Sequence, residues 1–406
     1  MRIADIEVVN LHFSYPKGNG FRYAGGTVTS RVSSIVLVTT DDGTTGTGAV
    51  YSHPDLVRTI VERQFKPMLL GLDPLEIDDL WRKMYQLTLW YGRKGVAIST
   101  LGGLDNAFWD LRGKALGKPV YKLLGGNSNL VPAYASGLFW HEDVHFLEKE
   151  AARHRDRGFR RVKMRIGHSE EYDVAAVEAV RRAVGADGDI MVDGSHRYTL
   201  KTATQLGRFL EEKRVYWFEE PFPPEDIDNY AALRLQIKVP LAAGENEFGV
   251  QGFREILRAK AVDVAQPDAS RTGGISECVR IAKMAAECGV RVAPHTWSDA
   301  VAVITNAHFV AATPHSISVE VDQTGNPFIE QLLTEPLDIK DGMLRLPDRP
   351  GLGIEINREA LKKLALRPDQ MIPDGNYSDL IFGQEYWSVP RPYTDRKEEV
   401  PQGERH

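Results

Sequence analysis

The pattern of apolar and polar positions changes once along the chain, near residue 126. Up to that point, three alternating segments typical of β-strands span residues 3–13, 33–40 and 46–50. Apolar positions at spacings of three and four then predict helices over residues 54–70, 75–90 and 98–116. We therefore expect residues 1–126 to form an α+β domain.

After residue 126, short apolar runs alternate with amphipathic helices. The eight runs predicted as strands span residues 131–136, 161–166, 189–193, 215–219, 240–245, 262–267, 291–294 and 316–320. Strands that alternate with helices form parallel sheets, and eight strands with seven intervening helices suffice for one closed barrel. The sequence thus predicts an α/β fold, with a modified (β/α)7β TIM barrel over residues 127–330.

The segment after Glu330 loses this rhythm. It is rich in turn residues and short alternating stretches, and we expect it to return to the first domain and complete it with roughly residues 331–406. Within this tail, the aromatic stretch LIFGQEYW is a candidate for contact with the body of the chain or with a neighbouring subunit.

Composition narrows the class of partner. The chain has 406 residues, of which 42% are hydrophobic and 26% charged, and its formal net charge is −6 with a pI near 6.0. This balance favours neither nucleic acid nor an anionic membrane as a partner. The first residues form a strand pattern with no apolar signal core, and no run of eighteen apolar residues occurs. We therefore expect a cytoplasmic protein that acts on a small molecule.

Three acidic residues close successive predicted strands at one interval. Asp193, Glu219 and Glu245 are separated by 26 residues in each step, which suits one strand with its returning helix. Side chains at the carboxyl ends of barrel strands meet at one rim. A single acid there could simply cap the following helix, but three carboxylates that converge need a cation. An all-oxygen ligand set with few protein ligands favours Mg²⁺.

Other strand ends add charged side chains to the same rim. On the second predicted barrel strand, the alternation of side chains points Lys163 and Arg165 into the barrel mouth. Asp268 and His295 close the sixth and seventh strands, where the carboxylate can accept the Nδ1 proton of the histidine and raise its basicity. Glu320 closes the eighth strand. These groups suit removal of a proton from the carbon next to a carboxylate, because a metal and an ammonium group stabilise the resulting enediolate.

Jointly, these motifs resemble the enolase superfamily, and specifically its mandelate racemase subgroup, which includes acid-sugar dehydratases. The resemblance covers residues 1–360. The motifs that carry it are Asp193, Trp217-Phe218-Glu219-Glu220-Pro221, Gly244-Glu245, Gln266-Pro267-Asp268, Pro294-His295, Glu320 and Pro350-Gly351-Leu352-Gly353-Ile354-Glu355.

The resemblance implies a role for most of the rim. The three evenly spaced acids would bind Mg²⁺, Asp268 and His295 would form a base dyad, and Glu320 would hydrogen-bond a carboxylate oxygen of the substrate. A Lys or His base acting beside Mg²⁺ on an enediolate is the chemistry documented for this superfamily. The first domain would be a capping domain whose loops at residues 12–27 and 50–53 close over the barrel mouth. A homo-oligomer, either a dimer or an octamer, is also implied.

One position departs from the pattern of the subgroup, which often has Lys-x-Lys on the second barrel strand. Arg165 takes the place of the second Lys, and a guanidinium is a poor proton acceptor. The sequence therefore favours a one-base reaction, in which His295 takes the α-proton and then assists departure of a β-hydroxyl. The predicted function is a dehydratase of an aldonic or aldaric sugar acid, which is a lyase.

Two other functions stay open. One is an isomerase that acts through the same enediolate, either a racemase or epimerase with Arg165 as second base or a sugar-lactone cycloisomerase. The other is a barrel without catalytic activity. The residues proposed to contact the rest of the substrate, each of which could equally be a packing or surface residue, are His196, Trp297, His12 and Tyr23.

Overall fold

The computed structural model describes residues 1–24, 26–367 and 369, together with the backbone of two short strands at residues 376–377 and 380–381. The aromatic stretch predicted to make a contact lies outside the described side chains. Among the helices of the described chain, none combines the length and the apolar character needed to cross a membrane.

The first domain begins with five strands, of which three form an antiparallel sheet in the order β1-β4-β5. The strands are β1 (Ile3–Ser14), β2 (Phe21–Tyr23), β3 (Gly26–Val28), β4 (Ser30–Thr40) and β5 (Thr45–Val50). The predicted meander is confirmed. The sequence did not predict the separate hairpin β2–β3, which is inserted between the first two strands of the meander.

Helices follow the sheet, as predicted. They are α1 (Pro54–Ile60), which continues through a π-helical turn at Val61–Phe65 into α2 (Lys66–Leu69), then α3 (Ile77–Thr88), α4 (Val96–Ala115) and α5 (Val120–Leu123). The long helix α4 lies directly on β5. A Cβ atom on Gly48 would come within 1.9 Å of the carbonyl oxygen of Gly103, so this contact requires glycine.

Eight parallel strands form the second domain. They are β6 (Leu130–Ser136), β7 (Arg161–Arg165), β8 (Asp189–Asp193), β9 (Trp217–Glu219), β10 (Leu241–Ala243), β11 (Val264–Ala265), β12 (Arg291–Val292) and β13 (Val319–Asp322). Neighbours in the chain are neighbours in the sheet, and β13 pairs with β6. A bridge between Val292 and Ser316 joins the last two strands. The sheet is thus closed, and the predicted (β/α)7β barrel is confirmed.

Seven helices cover the outside of this barrel. They are α6 (Val144–Asp156), α7 (Glu170–Val184), α8 (Leu200–Glu212), α9 (Ile227–Arg234), α10 (Gly249–Arg258), α11 (Gly274–Glu287) and α12 (Ala300–Ala311). Inside the barrel, a separate apolar cluster fills the space between the strands. It contains Tyr134, Met191, Trp217, Ala242, Val264, Ala293 and Ile317. The barrel is therefore a packed core whose polar side chains lie at its rim.

The segment after the barrel departs in part from the expectation that it returns to the first domain. It contains α13 (Pro327–Glu330), β14 (Ile339–Lys340), β15 (Met343–Arg345), α14 (Arg358–Leu364), β16 (Asn376–Tyr377) and β17 (Leu380–Ile381). The hairpin β14–β15 instead extends the barrel sheet, because β15 pairs antiparallel with β6. Beyond it, the Leu366 amide donates to the carbonyl of Asn10 in β1 at 2.8 Å. The domain boundaries themselves stay a prediction.

Candidate active site

Three carboxylates converge at the carboxyl-terminal rim of the barrel. Asp193 ends β8, Glu219 ends β9, and Glu245 follows β10 by two residues. One oxygen of each residue lies within 4.8 Å of the others. Oε2 of Glu245 is buried and has no hydrogen-bond partner among the described residues. The equal spacing in the sequence thus corresponds to one oxygen-lined site, and an all-oxygen set of this size suits a hard divalent cation.

Lys163 lies in the barrel beside this site. Its neighbours Val162 and Met164 face the helices, so alternation directs Lys163 inward. Its Nζ pairs with Oε1 of Glu219 at 2.6 Å and with Oε1 of Glu320 at 2.7 Å, and all three side chains are fully buried. Burial acts to lower the pKa of the Lys163 ammonium, but the two carboxylates outweigh burial and raise it. The lysine is therefore a fixed cation.

Glu320 and Glu219 respond differently to the same lysine. Burial acts to raise the pKa of Glu320, yet Lys163, His295 and Arg165 lower it to about 2. For Glu219, burial dominates over the attraction of Lys163 and raises the pKa. Glu219 has a raised pKa and lies beside two other carboxylates, so its ionised form is the one that a bound cation would stabilise most.

Arg165 extends from the same strand towards the acids and the capping domain. Its guanidinium contacts the carboxylate of Asp193. Its other neighbours are aromatic: the guanidinium carbon lies 5.3 Å from the ring centroid of Phe139, 5.4 Å from that of Trp297 and 5.9 Å from that of Tyr23. Arg165 therefore has a carboxylate on one side and the faces of three rings on the other, where cation–π attraction holds it.

His295 and Asp268 are joined beyond the ends of β12 and β11, near Glu245. His295 Nδ1 lies 2.9 Å from Oδ2 of Asp268, and both side chains are buried. Burial acts to raise the pKa of Asp268, but the hydrogen bond from His295 and further donors leave it lowered. Because Asp268 is ionised, it accepts the Nδ1 proton. His295 Nε2 is then the free nitrogen, and it lies 3.8 Å from Oε2 of Glu245.

The side chain of Asp268 is held by a dense set of donors. Its Oδ1 accepts from the Ser270 amide at 2.8 Å, from Ser270 Oγ at 2.7 Å and from Asn306 Nδ2 at 3.0 Å. The ring of His295 stacks on Tyr51 of the capping domain, with centroids 5.9 Å apart. For His295, burial lowers the pKa, but Glu245 and Asp268 raise it overall. The dyad is thus oriented from both domains.

His196 lies at the rim in a segment with an unusual backbone conformation. Ser195, His196 and Glu220 all have positive φ, at 45°, 64° and 36°, which is strained for residues with side chains. Nε2 of His196 contacts the carboxylate of Glu220. Asn246 Nδ2 donates to the same carboxylate at 2.7 Å and lies 3.4 Å from Glu245 Oε1. His196 is therefore next to the metal candidates, but it is bonded to an acid that the sequence analysis did not select.

The other three predicted contact residues divide into two groups. Trp297 and Tyr23 lie at the site, because both rings face Arg165. For His12, the structure gives only the face of β1 on which it lies. A bulge between Ile3 and Asp5 shifts the register of β1. After the bulge, His12 shares a face with Ile6 and Val8, which pack on the helices of the first domain. A substrate contact by His12 stays a prediction.

Several residues of the site were missed by the sequence analysis. Phe139 follows Leu138, whose φ is 53°, in a loop after β6 that has no recognisable motif. Phe21 belongs to the unpredicted hairpin, and its ring centroid lies 4.1 Å from that of Phe139. Glu220 is not among the residues selected from the sequence, since simple alternation along β9 points it away from Glu219. No sequence signal identifies the first two, whereas a positive φ after a strand end accounts for Glu220.

Family models match both parts of the chain. The model described as Mandelate racemase / muconate lactonizing enzyme, N-terminal domain, matches residues 5–125, and the model described as Enolase C-terminal domain-like matches residues 147–360. Among curated relatives, D-galactarolactone cycloisomerase of Agrobacterium fabrum is 38% identical over 84% of this chain and 92% of its own length. Arabinonate dehydratase of Saccharolobus solfataricus is 39% identical over 79% of this chain and 87% of its own length.

Solved structures have the same fold. A racemase from Streptomyces coelicolor A3(2), solved with bound magnesium, superposes with a TM-score of 0.83 at 28% identity. The match covers 90% of this chain and all of that chain. The relatives thus include both sugar-acid dehydratases and cycloisomerases. Because both family models match in chain order and the relatives align over most of their length, the chain belongs to the mandelate racemase/muconate lactonizing enzyme family of the enolase superfamily.

Proposed function

We propose that this protein is a Mg²⁺-dependent dehydratase of an aldonic or aldaric sugar acid. The observation that carries the proposal is the arrangement of the rim, where three convergent carboxylates lie between one buried His–Asp dyad and an arginine. Arabinonate dehydratase, at 39% identity, and the magnesium-bound racemase structure support the reaction and the metal.

The residues at the rim fit Mg²⁺. Asp193, Glu219 and Glu245 would hold it through one oxygen each, since these oxygens lie within 4.8 Å of one another. The raised pKa of Glu219 and the unpartnered Oε2 of Glu245 point to a cationic partner. When bound, Mg²⁺ supplies positive charge that stabilises the negative charge developing on the substrate carboxylate.

Lys163 and Arg165 are assigned to binding the substrate carboxylate. Glu320, whose pKa is lowered to about 2, is ionised and cannot donate a hydrogen bond to a carboxylate, so it is assigned to holding Lys163. The lysine and the arginine place two positive charges beside the acids, and these charges polarise a bound carboxylate so that its α-proton becomes more acidic. Glu320 keeps Lys163 in place through their 2.7 Å ion pair. Glu320 also accepts from the amide of Thr296 at 2.9 Å, which ties it to the loop that carries the base.

His295 is assigned as the only base. Its Nε2 takes the α-proton while Asp268 stabilises the imidazolium that forms. The imidazolium then returns this proton to the β-hydroxyl, the C–O bond breaks, and water leaves. The remaining enol tautomerises to a 2-keto-3-deoxy acid. One base suffices because the proton is removed and used on the same face of the substrate.

The alternative is an isomerase of the same subgroup, and one observation favours it. The cycloisomerase of Agrobacterium fabrum aligns over 84% of this chain, slightly more than arabinonate dehydratase does. In that reaction, proton abstraction is followed by β-elimination of a ring oxygen, so the same dyad would serve. A racemase would instead need Arg165 to act as a base on the opposite face.

The test is incubation of the protein with Mg²⁺ and a library of aldonic acids, aldaric acids and their lactones in D₂O. The dehydratase predicts a 2-keto-3-deoxy acid, and His295→Asn should abolish both this product and α-deuterium exchange. Opening of a lactone, or exchange without loss of water, would replace the dehydratase with the isomerase. Absence of any reaction from a protein that binds Mg²⁺ would overturn both.

A further inference from the structure

A buried arginine of the capping domain reaches the rim of the barrel. Arg31 lies at the start of β4 and is 1% exposed. Its Nη1 pairs with Oδ2 of Asp322 at 2.9 Å and lies 3.4 Å from Oγ1 of Thr324, while its Nη2 donates to the main-chain carbonyl of Trp297. A single guanidinium therefore contacts two loops of the other domain.

The acid that receives Arg31 is itself fixed. Asp322 ends β13, two residues after Glu320. Its Oδ1 accepts from the Thr324 amide at 2.8 Å and from Thr324 Oγ1 at 2.7 Å, and its Oδ2 accepts from Asn326 Nδ2 at 3.1 Å. A buried ion pair offsets its desolvation cost only when such additional bonds exist. The Arg31–Asp322 pair is thus a defined junction between the domains.

Trp297 lies between two guanidinium groups. The guanidinium carbon of Arg31 lies 4.5 Å from the indole centroid, and that of Arg165 lies 5.4 Å from it. The indole also packs on Phe139, with centroids 5.6 Å apart, and Trp297 is 7% exposed. Because Trp297 touches both arginines, the position of the first guanidinium constrains the indole, and the indole constrains the second.

The loop that carries Trp297 also carries the base. Along residues 295–298, the Thr296 amide is bound by Glu320 at 2.9 Å, the Trp297 carbonyl by Arg31, and the Ser298 carbonyl by Asn326 at 3.0 Å. Arg31 is the member of this set that comes from the capping domain, and it contacts the residue whose indole lies against Arg165.

We propose that Arg31 is a positioning residue of the active site, which fixes Trp297 and, through the indole, the guanidinium of Arg165. The proposal rests on the proposed function, because Arg165 is assigned there to substrate binding. A strand of the capping domain sheet, and not only its loops, then sets the geometry of the rim. Removal of Arg31 leaves Mg²⁺ ligands and dyad in place but releases Trp297 and Arg165.

The test uses the full chain with three substitutions. Arg31→Met removes the positive charge and keeps most of the side-chain length. Arg31→Lys keeps a charge for Asp322 but loses the second guanidinium nitrogen, which reaches the Trp297 carbonyl. The double variant Arg31→Met/Asp322→Asn also removes the buried acid that Arg31→Met alone leaves without its ion-pair partner. Arg254→Met, at an exposed position of α10, is the matched control. If the first variant fails to fold, as judged by thermal unfolding, the other two carry the same comparison.

The first readout does not depend on activity. Subtraction of the emission spectrum of Trp297→Phe from that of its parent isolates the signal of Trp297, in the native and in each Arg31 background. We expect this signal to shift to longer wavelength and to become more accessible to acrylamide when Arg31 is replaced. An unchanged Trp297 signal in a folded Arg31 variant overturns the proposal, even if no sugar acid is ever turned over.

The second readout is turnover of the substrate found in the library screen. Arg31→Met should lower kcat about 10- to 100-fold, the size of effect seen when a residue that orients other site residues is lost. The affinity for Mg²⁺ should stay unchanged, and Arg31→Lys should lower kcat less than Arg31→Met does. In a Trp297→Leu background, the same substitution should have little further effect, because it acts through the indole. Losses that multiply in the double variant overturn the proposal.

Discussion

Nδ1 of His295 lies 2.9 Å from Oδ2 of Asp268, and this bond leaves Nε2 as the nitrogen that faces Glu245, one of the three metal-binding candidates. An amide in place of the carboxylate cannot stabilise the imidazolium and can reverse the tautomer. For Asp268→Asn we expect kcat to fall about 10³- to 10⁴-fold, as in other enzymes where a buried acid orients a histidine base. Deuterium exchange at the α-carbon, followed by NMR, should fall in parallel.

Ser270→Ala is the control for the dyad. It removes one donor to the other oxygen of Asp268, which still accepts from Asn306 at 3.0 Å. The rate should therefore fall by no more than about 10- to 150-fold, well short of the loss in Asp268→Asn, since one hydrogen bond to a charged group contributes about 1.5 to 3 kcal/mol. Exchange at the native rate in Asp268→Asn would show that this carboxylate does not assist the base.

Metal binding should stabilise the protein, because a cation that binds only the folded state raises the free energy of unfolding. Mg²⁺ at a hundred times its Kd is worth about 2.7 kcal/mol, which thermal unfolding detects as a rise in Tm. In Asp193→Asn the dependence of Tm on Mg²⁺ should disappear, and isothermal calorimetry should detect no binding.

Glu247→Gln is the matched control for the metal site. Glu247 lies two residues beyond Glu245 and is buried, but it pairs with Lys94 at 2.7 Å. Its loss can lower Tm, yet the rise in Tm on adding Mg²⁺ should persist. If both variants lose the rise in Tm on adding Mg²⁺ to the same extent, the three rim acids are not the specific ligands of the metal.

The presence of an arginine at position 165 leads to a prediction about the stereochemistry of proton exchange. A guanidinium stays protonated, whereas a lysine at the same position can lose its proton in a site crowded with cations. Arg165→Lys should therefore acquire α-deuterium exchange on the face opposite His295, measured with the epimer of the substrate in D₂O. Arg165→Met should show neither this exchange nor efficient turnover. Exchange on that face in the native enzyme, lost in Arg165→Met, would identify Arg165 as a second base.

How much of the site the sequence predicts depends on how regular the backbone is. Asp193, Glu219 and Glu245 follow from the strand–helix repeat of the barrel, and Lys163 and Arg165 follow from alternation along one strand. These periodicities hold wherever the ladder is unbroken.

Where the backbone departs from its repeat, the prediction fails. The bulge near the start of β1 changes the face on which His12 lies, and the positive φ of Glu220 turns that side chain towards His196. The pairing of β15 with β6 and the insertion of Arg31 beside Trp297 join residues that are more than two hundred positions apart. Such partners depend on the three-dimensional arrangement of the two domains, which no local pattern encodes.

A histidine far from the chemistry gives a prediction about pH and stability. His308 in α12 is fully buried; its Nδ1 accepts from the Tyr121 amide at 3.0 Å, and its Nε2 lies 3.1 Å from the carbonyl of Leu352, to which it donates. The ring therefore joins the barrel to the end of the first domain and to the C-terminal segment. The bond from the Tyr121 amide requires an unprotonated Nδ1, and burial lowers the pKa of His308 to about 4.

This lowered pKa makes the protein less stable in acid. Between pH 4 and pH 6.5 the unfolded chain binds more protons at this position than the folded protein does, so the free energy of unfolding rises with pH in that window. The contribution of His308 is complete above about pH 6.5 and is lost as the pH falls towards 4, and the gap between the two pKa values corresponds to about 3 kcal/mol. Denaturant unfolding at a series of pH values measures it.

His308→Gln separates this effect from that of the other acid-sensitive groups. The glutamine amide offers one acceptor and one donor but does not titrate, so the variant should lose part of the slope of unfolding free energy against pH between 4 and 6.5. His141→Gln, at an exposed histidine, is the control for the replacement of a histidine by glutamine. An unchanged slope in a folded His308→Gln variant would mean that His308 does not set the stability of this junction in acid.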